Sequence, residues 1–404
     1  MSSKFIGRNR LWFIGIALGM LLMLAAAACA TAQEPQVVEV TKIVEVPVEV
    51  PVEVVREVPV EVIKEVPVEV IKEVPVEVTR TVEEEMEVAP PPDSRETIIF
   101  SDLSWTSAQV QNRIAQFIVE KGYGYPTDAI FGDTLPLFQG LRRGDTNVTM
   151  EIWLPNQDAS WEEALSEGEV VSIGKSLGND WQSTFVIPAY MQDQYPELDH
   201  IEDLKDPQFQ EVFATTESRG MARLVACVPG WSCEAVNDAQ IEAYGLTDFL
   251  HVIKPGSQDA MFADITGAYE KQEPWLGYMW GTGDPALLLD LVRLEETPYS
   301  DECWFTTKAC AFQDATILIA VDPGLPARAP EVVEFLKNWD FNIDVYKVLV
   351  RWMSANPDAT IEEAALFWLN DSVDVWTDWV TPDAAEKVEA ALSAGEEAEG
   401  WPTS

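Results

Sequence analysis

Basic residues are scarce in this chain. Its 404 residues include 26 Lys and Arg against 69 Asp and Glu, with two His, for a formal net charge of -43. Binding to nucleic acid needs clustered cations that displace counterions from phosphates, so that class is excluded. Cationic and zwitterionic small solutes stay open, although solubility alone accounts for much of the acidity. The usual signs of catalysis are missing too. The sequence shows no nucleophile motif and no Gly-rich phosphate loop, and His200 and His251 have no recognisable partners. The expectation is a chain that is not an enzyme and uses neither cofactor nor metal.

Cysteine is also sparse, at five residues. Four of them fall as the close pairs Cys227/Cys233 and Cys303/Cys310. In an oxidising compartment these are expected to form two short-loop disulfides. Zinc is the competing use, but neither pair has the spacing of a zinc knuckle.

The fifth, Cys29, follows an export signal. Lys4, Arg8 and Arg10 precede the apolar run Leu11–Ala28, and no acid occurs in the first 28 residues. Ala26-Ala27-Ala28-Cys29 resembles a bacterial lipobox, which makes residues 1–28 a lipoprotein signal peptide and Cys29 the lipidated residue. An uncleaved transmembrane anchor is the alternative, since the run is about the minimum that spans a bilayer. Either way the basic end stays inside, so the remainder is expected on the extracytoplasmic face of a bacterial cell membrane.

Residues 29–95 are a low-complexity stalk. The unit Glu-Val-Pro-Val-Glu-Val-Ile-Lys recurs every eight residues, with prolines at 51, 59, 67 and 75. Alternation alone suits a strand, but these prolines remove ladder donors and forbid a central one. The segment cannot build a core and reads as a spacer, with a reach of at most about 200 Å. Residues 31–94 carry a charge of -11 and the first 28 carry +3, which leaves -35 for residues 95–404. The acidity therefore belongs mainly to the folded part.

From Glu96 the texture becomes mixed α/β. Glu96–Ser101, Val148–Trp153, Thr184–Ile187 and Thr316–Val321 read as strands, with apolar runs suited to a buried sheet. Thr106 and Gln109 suggest a capping box opening a helix that runs to Gly122. Pro330–Leu336 and the stretches from Ile361 and Ala384 are helical in spacing. Strands alternating with helices imply an α/β fold of more than one lobe.

The chain is rich in tryptophan, with 15 residues. Three sit where a core does not need them. Trp153 ends a strand before a Pro-Asn turn, Trp231 lies in Cys227-Val228-Pro229-Gly230-Trp231-Ser232-Cys233 before a helical run to Tyr244, and Trp280 ends another strand. Strand ends and helix starts form ligand crevices in open α/β sheets. Trp105, after the first strand, is a candidate fourth wall, with packing as the alternative. Asp102 in the same turn reads as a solvated carboxylate. Trp181 and Trp304 read as structural.

Around these positions the chain resembles the glycine betaine/proline betaine/choline substrate-binding proteins of ABC importers. The Cys-bracketed Pro-Gly-Trp turn of 227–234 is the most specific match. Glu120–Tyr125, Gly140–Asp145 followed by Trp153-Leu154-Pro155, Phe185–Tyr190, Trp275–Trp280 and Asp290–Leu294 support it in order and spacing. The resemblance implies a two-lobed periplasmic-binding-protein fold of type II. Lobe 1 would combine about 96–186 with 317–404, and lobe 2 would span about 187–316. It also implies a quaternary-ammonium or betaine ligand held by Trp153, Trp231 and Trp280. The backbone of Ser232 and Cys233 would meet the ligand carboxylate, with Gln157 where some relatives place a His. The implied partners are an ABC permease and its ATPase, with the membrane reached through the lipid anchor. Such a ligand head has no N–H to donate, so aromatic faces are what can hold it, each contributing roughly 0.5–2 kcal/mol when desolvated. The rival reading is a sensing or adhesion lipoprotein on the same binding fold.

Overall fold

The computed structural model describes residues 95–178 and 183–402. The signal segment, Cys29, the repeat as far as residue 94, and Trp181 lie outside the described residues. Among the described residues ten strands form two five-stranded sheets. The strands are β1 (Ile98–Leu103), β2 (Thr127–Gly132), β3 (Val148–Leu154), β4 (Val171–Lys175), β5 (Thr184–Pro188), β6 (Ala222–Val225), β7 (Leu250–Ile253), β8 (Gly277–Met279), β9 (Leu291–Arg293) and β10 (Thr316–Val321). The helices that bear on the site are α1 (Thr106–Ile118), α2 (Thr134–Arg143), α3 (Ser232–Ala243), α4 (Gln258–Lys271), α5 (Ile343–Ala355), α6 (Ile361–Asp371) and α7 (Pro382–Ala394).

The two sheets share one plan. The first runs β2-β1-β3-β10-β4 and the second β7-β6-β8-β5-β9. In each, the three leading strands are parallel and the last two are joined antiparallel. Parallel pairs need crossover helices, which cover both faces and explain why β1, parallel to both its neighbours, is buried at all but one residue. The chain passes from the first sheet to the second and returns with β10, giving the two-lobed α/β periplasmic-binding-protein architecture. β5 pairs entirely within the second sheet, with β8 and β9. The first crossing thus falls between Lys175 and Thr184, ahead of the 186/187 boundary read from sequence.

Two local expectations change in the structure. The first strand begins at Ile98 instead of Glu96. The capping box at Thr106 does not form. Trp105 is the N-cap of α1 and makes no side-chain cap, and the Thr106 N–H donates instead to Gln258 Oε1 at 3.2 Å, a residue of α4. The orphan donor of a helix start is met by the opposite half of the molecule, which no local pattern announces.

The helix begun by α1 widens to a π-turn at Val119–Tyr123 and ends at Gly124, in the left-handed region at φ 73°. A Cβ on Gly122 would press on Ala384 Cβ and Val388 Cγ2 at 3.2 Å, so the missing side chain lets α7 lie close. α6 is fixed to α1 by Arg113 Nε on Glu362 at 2.8 Å, and the Trp401 indole donates to the Arg113 carbonyl at 3.0 Å. The C-terminal helices therefore pack beside the first sheet. Among the described residues no helix is long and apolar enough to cross a membrane.

Candidate ligand site

Four indoles occupy equivalent places at the ends of central strands. Trp105 follows β1 and opens α1, and Trp153 lies near the end of neighbouring β3. Trp231 follows β6 and opens α3, and Trp280 directly follows β8, the neighbour of β6. The carboxyl ends of parallel strands thus bring two indoles from each sheet to one crevice.

The turn before Trp231 is tightly specified. Gly230 has φ 89°, which a side chain resists, and a Cβ there would come within 2.8 Å of Asp133 Oδ2. The Cys227–Cys233 disulfide closes the turn, and Cys303–Cys310 is also formed.

Trp105, Trp153, Trp231 and Trp280 line one small hollow, whose volume is about 30 Å³ with the indoles in contact. Trp105 and Trp231 meet edge to face with ring centres 5.2 Å apart, and Trp231 meets Trp280 likewise at 5.4 Å. The four are 5–8% exposed. The Trp231 indole N–H donates to the Ser104 hydroxyl at 2.9 Å, and that hydroxyl donates to Asp133 Oδ1 at 2.6 Å.

The remaining lining is Thr134, Asn156, Ser232, Cys233 and Tyr278, so the wall carries no ionised side chain. It does carry oriented dipoles. Thr134 begins α2 and Ser232 begins α3, and neither helix has a side-chain cap. Their first N–H groups and partial positive charge favour a carboxylate. Burial pushes the Tyr278 hydroxyl up, so it stays a neutral phenol. Behind the indoles lies Glu151, 1% exposed, whose Oε2 accepts the N–H of both Trp105 at 2.7 Å and Trp153 at 2.8 Å. Burial pushes its carboxyl up from the ordinary range, and these N–H groups work against that shift.

The structure brings Trp105, Trp153, Trp231, Trp280, Ser232 and Cys233 to the hollow, and leaves Gln157 out of its lining. Gln157 is buried with its amide unpartnered among the described residues, and Asn156 beside it faces the hollow instead. Asp102 is not a solvated turn residue. It is 1% exposed and pairs with Arg113 through 2.8 and 3.0 Å contacts, because strand and helix pack directly over it. Trp304 is buried against Phe312 at 5.2 Å, a packing role. Sequence reasoning missed Thr134, Asn156, Tyr278 and Glu151. Glu151 had a legible signal: it stands two residues before Trp153, so strand alternation puts both side chains on one face.

Comparison with known proteins decides the family. Residues 96–371 match the family model OpuAC, the substrate-binding domain of ABC-type glycine betaine transport systems. The chain belongs to this family. As an OpuAC-family member it is a substrate-binding receptor of an ABC-type glycine betaine transport system. It is 23% identical over 290 residues to the trimethylamine N-oxide-binding protein of Pelagibacter ubique, covering 70% of this chain and 91% of that one. It is 32% identical over 143 residues to the glycine betaine/proline betaine-binding periplasmic protein of Escherichia coli, or 35% of this chain and 42% of that protein. Its fold matches a choline-binding protein of an ABC transporter solved with choline, with a TM-score of 0.60 at 20% identity, covering 73% and 98% of the two chains.

Proposed function

We propose that the hollow captures a small methylated onium zwitterion of the glycine betaine type, and that the chain delivers it unchanged to an ABC permease and its ATPase. The observation that carries this reading is the meeting of four nearly buried indoles from two sheets around one small hollow. A trimethylated head cannot be recognised through N–H donors of its own. Indole faces attract its charge and exclude ammonium ions that keep their water. The uncapped starts of α2 and α3 supply donors for a carboxylate, so the hollow has an end for each pole.

In this reading the protein is a hinged receptor. One lobe is built on the first sheet and the C-terminal helices, the other on the second sheet. Trp105 and Trp153 belong to the first lobe, and Trp231 and Trp280 to the second. A ligand that touches both lobes stabilises the closed form by the contacts it makes only there. The closed form is what the permease reads. The chain acts outside the cytoplasm, held at the membrane by lipid on Cys29, and it does not transform its solute.

Calorimetric titration with glycine betaine, proline betaine, choline, carnitine and trimethylamine N-oxide tests the proposal. Saturable one-to-one binding of at least one of them, without turnover, is expected. Failure of every onium solute to bind would overturn it.

A further inference from the structure

The uncharged lining of the hollow hides an acid placed directly behind it. Glu151 carries no ion pair among the described residues. The groups acting on its charge are Trp105, Ser107, Trp153 and Gln111, none of them cationic. Its two oxygens are met by donors: the indole N–H groups of Trp105 and Trp153 on Oε2, and Gln111 Nε2 on Oε1 at 2.7 Å. The Gln111 amide has a fixed orientation. Its Oε1 accepts from the Trp339 indole at 3.0 Å, and an indole nitrogen only donates, so the NH2 end must face Glu151. Ser176 Oγ adds a second contact to the same Oε1 at 2.6 Å. The three nitrogen donors that meet the Glu151 oxygens stabilise the carboxylate form against the burial that opposes it.

Burying a carboxylate without a cationic partner is costly, and that cost needs a reason. We propose that Glu151 is a positioning residue and buried counter-charge for the cage: it fixes Trp105 and Trp153 through their N–H groups, and its negative charge makes the hollow select a cationic head over an uncharged isostere of the same shape. The inference rests on the proposed onium ligand and explains how one side of the cage is tuned. An N–H bonded to an anion pushes electron density into the indole ring, which strengthens attraction at its face. In the low-dielectric interior the same charge acts on the ligand directly, with little screening. The charge is absent from the wall, so it attracts the onium without offering it a salt bridge that ordinary ammonium ions would also use.

The experiment compares glycine betaine with 3,3-dimethylbutanoate, in which carbon replaces the charged nitrogen. Wild-type protein is expected to prefer betaine strongly. In Glu151→Gln the preference is expected to fall at least about tenfold, through weaker betaine binding and not through weaker isostere binding. Glu151→Asp keeps the charge and is expected to recover most of the preference. Equal losses for both ligands, or an unchanged ratio, would overturn the counter-charge. If wild-type protein binds neither betaine nor any other onium, the failure belongs to the proposed function instead.

A second measurement avoids substituting Glu151, in case the Gln variant does not fold. Tyr346 faces the same region from α5, and its hydroxyl donates to Asp284 at 3.1 Å. Asp284→Asn therefore serves as the background, which leaves Glu151 as the carboxyl of this cluster. With the indoles labelled with 15N, the Trp105 and Trp153 N–H resonances are expected to move together as acid protonates Glu151. Betaine affinity is expected to fall over the same interval. Affinity that stays flat through that transition would overturn the proposal.

Discussion

A hydrogen bond between Trp231 and Ser104 links the two halves of the molecule. The indole of a residue that follows β6 donates at 2.9 Å to a hydroxyl that follows β1. The Ser104 hydroxyl donates in turn to Asp133 Oδ1 at 2.6 Å, so its donor and acceptor roles are both assigned. The bond orients a cage wall and exists only when the lobes are together. Ser104→Ala is expected to weaken onium binding severalfold, a loss of about 1 kcal/mol. Small-angle scattering of the unliganded variant should show a larger radius of gyration than wild type. Unchanged affinity and dimensions would remove the latch from the mechanism.

Trp231→Ala and Trp280→Ala test the cage itself. Each removes a nearly buried aromatic face, and each should weaken binding at least tenfold, about 1.4 kcal/mol or more. Trp304→Phe, in a packed cluster away from the hollow, should leave affinity unchanged. The cage assignment fails if all three variants bind alike.

The disulfides should separate stability from binding. Each closes a short loop, with sequence separations of 6 and 7, and each is expected to contribute about 2–3 kcal/mol to stability. Replacing Cys227 and Cys233 by Ser should also lower ligand affinity, because Trp231 and Ser232 sit inside that loop. Replacing Cys303 and Cys310 should lower the denaturation midpoint only. Denaturant melts and titrations on both double variants decide the point.

The Asp284 carboxyl gives a pH test of stability. Burial, opposed by the Tyr346 hydroxyl, pushes it up to about 6 from an ordinary 3.8. A folded-state pKa above the unfolded value means that the fold favours the protonated form. Its contribution is full below about 3.8 and is lost as pH rises through about 6. Asp284→Asn, neutral throughout, should therefore gain stability relative to wild type between pH 4 and 7, by about 2–3 kcal/mol. Urea midpoints of both proteins at the two pH values measure it. A constant difference would mean that the carboxyl is not perturbed.

Arg113 and Asp102 form a buried pair beneath the first crevice turn, with side chains 4% and 2% exposed. Arg113→Leu strands the carboxylate and should cost about 3–5 kcal/mol. Adding Asp102→Asn should restore part of that loss. A single variant as stable as wild type would show that water reaches Asp102.

Some of this molecule was fixed by local chemistry. Period, apolar runs and turn residues determined β3, β10 and the helix after Pro330 nearly to the residue, because strand and helix periodicities are properties of neighbours along the chain. The Pro-Gly-Trp turn was legible as well, since only glycine takes the φ of 89° that it needs. Tertiary structure alone decided what happens between distant segments. It gave the Thr106 N–H to Gln258, buried Asp102 against Arg113, turned Asn156 instead of Gln157 to the hollow, and set Glu151 behind two indoles. Thr106, Asp102 and Glu151 each place a polar group against a partner on another packed element, and burial, which makes such a partner necessary, is created only when the sheets and helices come together.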